Sequence, residues 1–139
     1  MIMNSTILLN RLKELFFPDL YIFPERFAKI DSYSKQYDLW IEVKVKDEFF
    51  PWVYVTEKKW KSMRKKDRCL YINGMRKDNG EWVFYSFSVH TLPDPIWKTI
   101  DNPNASNELY TGWIPTQMGH VHITTGKDLT DKLFKNQTT

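Results

Sequence analysis

A single cysteine, Cys69, stands among the 139 residues, so no disulfide can form within the chain and the fold must be held by burial. One free thiol fits a reducing compartment, and the expected location is the cytoplasm. Glycine is also sparse, at five residues, and none of them builds a phosphate-cradling loop, which excludes nucleoside-triphosphate chemistry of that kind. Long apolar runs are missing, so no membrane contact is expected. Residues 1–17 lack the pattern of a secretory leader, because Asn10, Arg11, Lys13 and Glu14 interrupt their apolar positions. Repeats and low-complexity tracts are missing too.

What is present suits one domain over residues 1–139. Hydrophobic residues make up 42% and charged residues 27%, as in ordinary globular proteins. Aromatic content is 16%, with six Trp; rings favour strands and also stack on nucleobases. Charge is unevenly spread. Residues 57–68 carry seven Lys or Arg against two acids, a local +5 in a chain of net +3, which leaves the remainder at −2. A compact basic segment on a faintly acidic body is either a solvated helix face or a contact for a polyanion.

Along the chain, Asn4 or Ser5 can cap a first helix to about Phe16, with Leu8, Leu9, Leu12 and Leu15 on one face. Pro18 ends it, and residues 20–23 fit a short strand. Phe27–Tyr33 reads as a strand with Ala28, Ile30 and Ser32 on its core side, followed by a turn at Ser34–Gln36. Tyr37–Lys46 alternates without a break: Tyr37, Leu39, Ile41, Val43 and Val45 face the core, and Asp38, Trp40, Glu42, Lys44 and Lys46 face the other way. Phe50–Val55 is a third strand. Thr56 can cap a second helix, residues 57 to about 66. Leu70–Met75 and Trp82–Val89 form a hairpin around Asn79-Gly80. Four prolines and an Asn-rich run make Leu92–Thr116 a long loop, a candidate lid or arm. Gly119–Thr124 is a strand, and a last helix follows with Leu129, Leu133 and Phe134 apolar and Asp128–Lys132 as a supporting pair.

The chemistry concentrates on Glu42 and Lys44, which leave the same face of one strand. Parity of the preceding hairpin puts Asp31 opposite either Trp40 or Glu42, and in both registers on that face. Asp38 competes as the first acid, but four residues along one strand separate it from Glu42 by roughly 13 Å, too far to share an ion. Two carboxylates suit a hard cation such as Mg2+ or Mn2+, with the Val43 carbonyl as a further oxygen ligand. Such an ion acidifies a bound water and screens a phosphate, while Lys44 can orient the water or offset developing charge. His120 and His122 share a strand face but lack a third ligand nearby, and read as surface histidines. Cys69 reads as core.

An Asp-bearing strand followed eleven positions later by Glu42-Val43-Lys44, between two helices, resembles the PD-(D/E)xK nuclease superfamily over about Ser5–Ile72. The resemblance implies an α/β fold with a restriction-endonuclease-like αβββαβ core: a mixed central sheet flanked by helices. Here that core would span about residues 5–90, and an extension over 91–139 would add a β-hairpin or loop and a helix. It also implies metal-assisted hydrolysis of phosphodiesters, with Asp31, Glu42 and Lys44 catalytic. Glu14, or second Glu25, would be the acid that the first helix often adds. Ile30 stands where the family name has proline.

Lys58, Lys61, Arg64 and Lys65 recur at helical spacing and would hold phosphates, with Trp40 stacking on a base. The expected partner is nucleic acid, DNA in preference to RNA, acted on by a structure-selective or assembly-dependent enzyme such as a homodimer. The alternative is a non-catalytic nucleic-acid-binding or protein-interaction domain on the same fold.

Overall fold

In the computed structural model, residues 2–24, 30–102 and 114–134 are described, with backbone alone for 101, 102 and 114–116. Helix α1, Ser5–Leu15, starts where the Asn4 side chain accepts a hydrogen bond from the Ile7 N–H at 2.8 Å. It buries Leu8, Leu9 and Leu12. After it come strands β1 (Tyr21–Ile22), β2 (Ser32–Ser34) and β3 (Leu39–Lys46), an antiparallel meander in which Ser32 faces Ile41 and Tyr33 faces Trp40. Asp38, with φ +47°, sits in the tight connection before β3.

Strand β4 (Trp52–Thr56) leaves this sheet, contrary to a three-strand run through Phe50–Val55 in one sheet. Helix α2 (Glu57–Arg64) then returns the chain to β5 (Cys69–Arg76), which lies parallel to β3 with Glu42 beside Tyr71 and Lys44 beside Asn73. A parallel pair needs such a crossover. Strand β6 (Trp82–Ser88) closes the expected hairpin on β5, with Gly80 at φ +89° in the turn. The segment read as a loop is partly strand. β7 (Ile96–Asn102) pairs with β8 (Ile114–His122), and β8 pairs with β4 to complete a second, three-stranded sheet. Pro93 and Pro95 precede β7, and Pro115 lies near the start of β8 opposite Asp101, so these prolines do not keep the segment out of a sheet. Residues 103–113 lie outside the described ones, as do residues 25–29, which include the first three positions, Phe27 to Lys29, of the expected strand Phe27–Tyr33.

A 3-10 turn, Ile123–Thr125, leads to β9 (Lys127–Asp128), which extends the first sheet at β6 and gives the order β1-β2-β3-β5-β6-β9. The last helix, α3, is only Thr130–Leu133; Asp128 accepts a hydrogen bond from the Thr130 N–H instead of pairing with Lys132.

The mixed sheet is buried on both faces, which alternation in β3 alone did not reveal. One face carries Ile41, Val43, Ile72 and Phe84 against α1 and Leu133. The other carries Tyr71, Met75 and Phe87 against Val53, Val55 and Val121 of the second sheet and Trp60 and Met63 of α2. Ile30 joins this second cluster rather than the Ile41 side, because β2 begins only at Ser32 and the alternation does not reach it. Among the described residues no helix is long and apolar enough to cross a membrane.

Gly74 in β5 is fixed by packing: a Cβ there would lie 2.8 Å from Cε1 of Phe84, a fully buried ring. Gly74→Val is expected to destabilise the fold by about 1–3 kcal/mol through overpacking. Urea unfolding checks this; an unchanged midpoint would show that the Phe84 ring has room to move.

Candidate functional site

Asp31 stands one residue before β2, and the β2–β3 register carried one step further puts it beside Glu42. There the ladder is made by side chains. The Asp31 N–H donates to Oε1 of Glu42 at 3.0 Å, and the Val43 N–H donates to Oδ2 of Asp31 at 2.8 Å. The two acids are thus tied to each other and to β3. The Val43 carbonyl leaves its strand on the same side as its N–H, towards Asp31.

Glu42 is only 8% exposed, because α2 and the second sheet cover its face. Its other oxygen, Oε2, lies 3.1 Å from Nζ of Lys59. Burial and the neighbouring Asp31 carboxylate push the Glu42 pKa up to about 7, against the pull of the Lys59 ammonium. Lys44 is exposed and lines, with Glu42, Lys46 and Lys59, a cavity of about 400 Å³ whose remaining walls include Tyr54, Thr56, Tyr71 and Met118. Lys46 is held below its ordinary pKa by burial and by Lys44, and its ammonium stands 4.7 Å from the centre of the Tyr54 ring. Tyr71 donates its hydroxyl to the Tyr54 carbonyl at 2.9 Å, which ties the two sheets together at the cavity wall. Asn73, the β5 neighbour of Lys44, is 1% exposed; its amide stands near the Tyr71 hydroxyl but makes no hydrogen bond of full geometry among the described residues. A buried amide in that condition costs about 1–3 kcal/mol and calls for a reason.

The sequence-predicted residues divide. Asp31, Glu42, Val43 and Lys44 are brought together. Glu14 is not: α1 packs on the opposite sheet face, and Glu14 is exposed and paired with Arg11 at 3.3 Å. Glu25 lies outside the described residues. Lys58, Lys61, Arg64 and Lys65 are exposed on α2, with Lys61 paired to Glu57 and Arg64 donating to the Val89 carbonyl. The α2 cation that reaches Glu42 is Lys59, which is not among the four expected to hold phosphates. Its signal was available, since Thr56, Lys59, Trp60 and Met63 follow the i, i+3, i+4, i+7 spacing of an inward stripe. Trp40 is not an open platform: Phe23 stacks at 5.9 Å, Tyr33 lies 4.5 Å away, and Lys66 sits over the ring at 4.0 Å.

Cys69 is buried core, its thiol pushed up to about 12 chiefly by burial, as befits an inert side chain. His120 and His122 approach the Ile96 carbonyl and the Thr124 hydroxyl, and no three His, Cys, Asp or Glu converge among the described residues.

No protein-family model matches the chain, and no curated protein matches it.

The raised pKa of Glu42 fixes a sign. Between pH 4.5 and about 7 the folded chain keeps a proton that the unfolded chain has released. Its stabilising contribution is therefore full below pH 4.5 and is lost as pH rises through 7. Glu42→Gln keeps an acceptor for the Asp31 N–H, and Lys59, a third exposed, can hydrate its ammonium. At pH 8 this variant is expected to be more stable than the parent by roughly 1–3 kcal/mol, with the gain vanishing towards pH 4.5. Thermal melts across that range check it; a loss of stability at pH 8 would mean that the Lys59 pair outweighs the burial of charge.

Proposed function

We propose that the chain is a metal-dependent nuclease hydrolysing phosphodiester bonds, DNA in preference to RNA. One observation carries the reading: Glu42, tied to Asp31 by the Asp31 N–H, lines a cavity whose walls also hold Lys44, Lys46 and Lys59, while the Asp31 carboxylate is fixed beside it on the Val43 N–H. Burying the charged form of Glu42 works against stability at neutral pH, and groups with pKa values raised in this way gather at functional sites. The order of elements is a second support. The chain order is α1-β1-β2-β3-β4-α2-β5; the expected third strand, β4, lies in the second sheet, and with β4 set aside the remaining elements read αβββαβ, with the sheet order β1-β2-β3-β5.

The donor set is hard oxygen and suits Mg2+ or Mn2+. Asp31 spends Oδ2 on Val43 and has Oδ1 for a cation, and Glu42 and the Val43 carbonyl complete the protein's share. When bound, the ion supplies an acidified water and offsets phosphate charge. Lys44 and Lys46 hold positive charge at the cavity wall, where a phosphate entering would be attracted and its developing charge stabilised. Lys59 keeps Glu42 in place and compensates its charge. Asn73 offers a buried amide beneath Lys44.

Incubation of plasmid and of single-stranded DNA with Mg2+ or Mn2+ is expected to give cleavage, which Glu42→Ala or Lys44→Ala lowers by roughly 10²–10³-fold. Cleavage by the parent no faster than by Glu42→Ala would end the enzyme reading, and salt-dependent binding without cleavage would favour a non-catalytic module. Because Glu42 must lose its proton to ligate, Mn2+ affinity should rise roughly tenfold per pH unit below 7 and level off above it. Calorimetric titration at several pH values reads this directly; a flat profile would detach Glu42 from the metal.

A further inference from the structure

The cavity beside Glu42 does not end at the acids. Its Tyr54 wall is shared with a second depression of about 220 Å³ on the β4–β8–β7 sheet, lined by Trp52, Ile96, Lys98 and His120. Trp52, Ile96 and His120 are in turn shared with a third, of about 180 Å³, which reaches His122 and has Asp94 at its far side. The strand register explains the continuity. Trp52 faces His122, Tyr54 faces His120, and Ile96 and Lys98 face His120 and Met118, so all of them stand on one sheet face. Val53, Val55 and Val121 fill the other face and belong to the core.

This face is unusual for a solvated surface. Trp52 is 40% exposed, Ile96 53% and Ile100 39%. Histidines brace its rings almost perpendicularly: His122 on Trp52 at 4.8 Å, His120 on Tyr54 at 4.6 Å. Cations border it, with Lys44, Lys46 and Lys59 at the acid end and Lys98 in the middle.

We infer that this face is a track for a single strand of nucleic acid, leading the strand from Trp52 across Tyr54 to the acid pair. The choice of nucleic acid rests on the nuclease reading; the track itself rests on the face. Trp52 offers a stacking platform, and Lys98 and Lys46 meet the phosphates. Rings and cations alternating on an open sheet are how unpaired bases are held, since a duplex keeps its base faces to itself. Tyr54 is two residues from Trp52, roughly 6.6 Å along the strand, a spacing that an extended single strand can follow. The acid end is a cavity of about 400 Å³, nucleotide size, around a carboxylate 8% exposed, a recess that an unpaired strand can enter and the rigid cylinder of an intact duplex cannot. The substrate class that follows is a single-stranded segment, free or as a flap on a duplex.

The experiment is fluorescence anisotropy with a labelled twelve-residue oligothymidylate and with a blunt duplex of equal length, both in EDTA so that binding is read without hydrolysis. The single strand is expected to bind at least tenfold more tightly than the duplex. Trp52→Ala should weaken single-strand binding roughly tenfold, and Lys98→Glu should weaken it and flatten its salt dependence. Circular dichroism of both variants confirms folding, and Trp52→Phe, which keeps a ring, should restore much of the affinity. Equal affinity for duplex and single strand, or variants that bind like the parent, would overturn the track. Hydrolysis of bis(p-nitrophenyl) phosphate by the parent protein with Mn2+ is measured beside it, since that small diester needs only the acid pair. Its absence together with Trp52-dependent binding would remove the hydrolase and uphold the track.

Discussion

The crossed hydrogen bonds between Asp31 and the Glu42–Val43 step of β3 are the constraint on which the rest depends. β2 is three residues long, and its ladder with β3 ends at Ser32 and Ile41. Beyond that point the strands would part. Instead the Asp31 carboxylate takes the Val43 N–H that another backbone carbonyl would have taken, and Glu42 takes the Asp31 N–H. A buried backbone donor needs a partner, so the same two bonds that continue the sheet also hold two acids at contact distance. The acid pair is a structural rung and a ligand set at once.

That arrangement sets stability against function. Glu42 sits where charge is poorly solvated, next to like charge, and among the described residues Lys59 is the cation that compensates it directly. The elements that bury it, α2 and the second sheet, also create the cavity and bring Lys59, Tyr54 and Tyr71 to it. A core built for stability alone would place apolar side chains at positions 42 and 73. The chain keeps a carboxylate there and an amide that makes no hydrogen bond of full geometry among the described residues.

The local part of this was legible in the sequence. Alternation over Tyr37–Lys46 located β3, which begins at Leu39 because Tyr37 and Asp38 belong to the turn; Asp31 does come beside Glu42, but not through the parity reasoning, whose premise of Ile30 on the Ile41 side fails. Helix starts at Asn4 and Thr56 and the Asn79-Gly80 turn were equally plain, because capping and turn chemistry are local. What failed was non-local. Alternation in β4 says that Val53 and Val55 face a core, not which sheet the strand joins. Ile96, Lys98 and Ile100 carry too weak a pattern beside Pro93 and Pro95 to announce β7, whose pairing with β8 supplies its stability. Hence the second sheet, the cover over Glu42 and the aromatic face were invisible. Lys59 and Trp40 were misread for a related reason: a basic helix was read by its total charge rather than by its inward stripe, and a ring was judged by its own strand without Phe23, Tyr33 and Lys66.

The most direct test is a crystal soaked in Mn2+ and measured for anomalous scattering. The account requires one peak between Asp31 and Glu42, at about 2.0–2.3 Å from a carboxylate oxygen of each and within reach of the Val43 carbonyl. Electron density that keeps the Lys59 ammonium on Glu42, with no anomalous peak at saturating Mn2+, would contradict it.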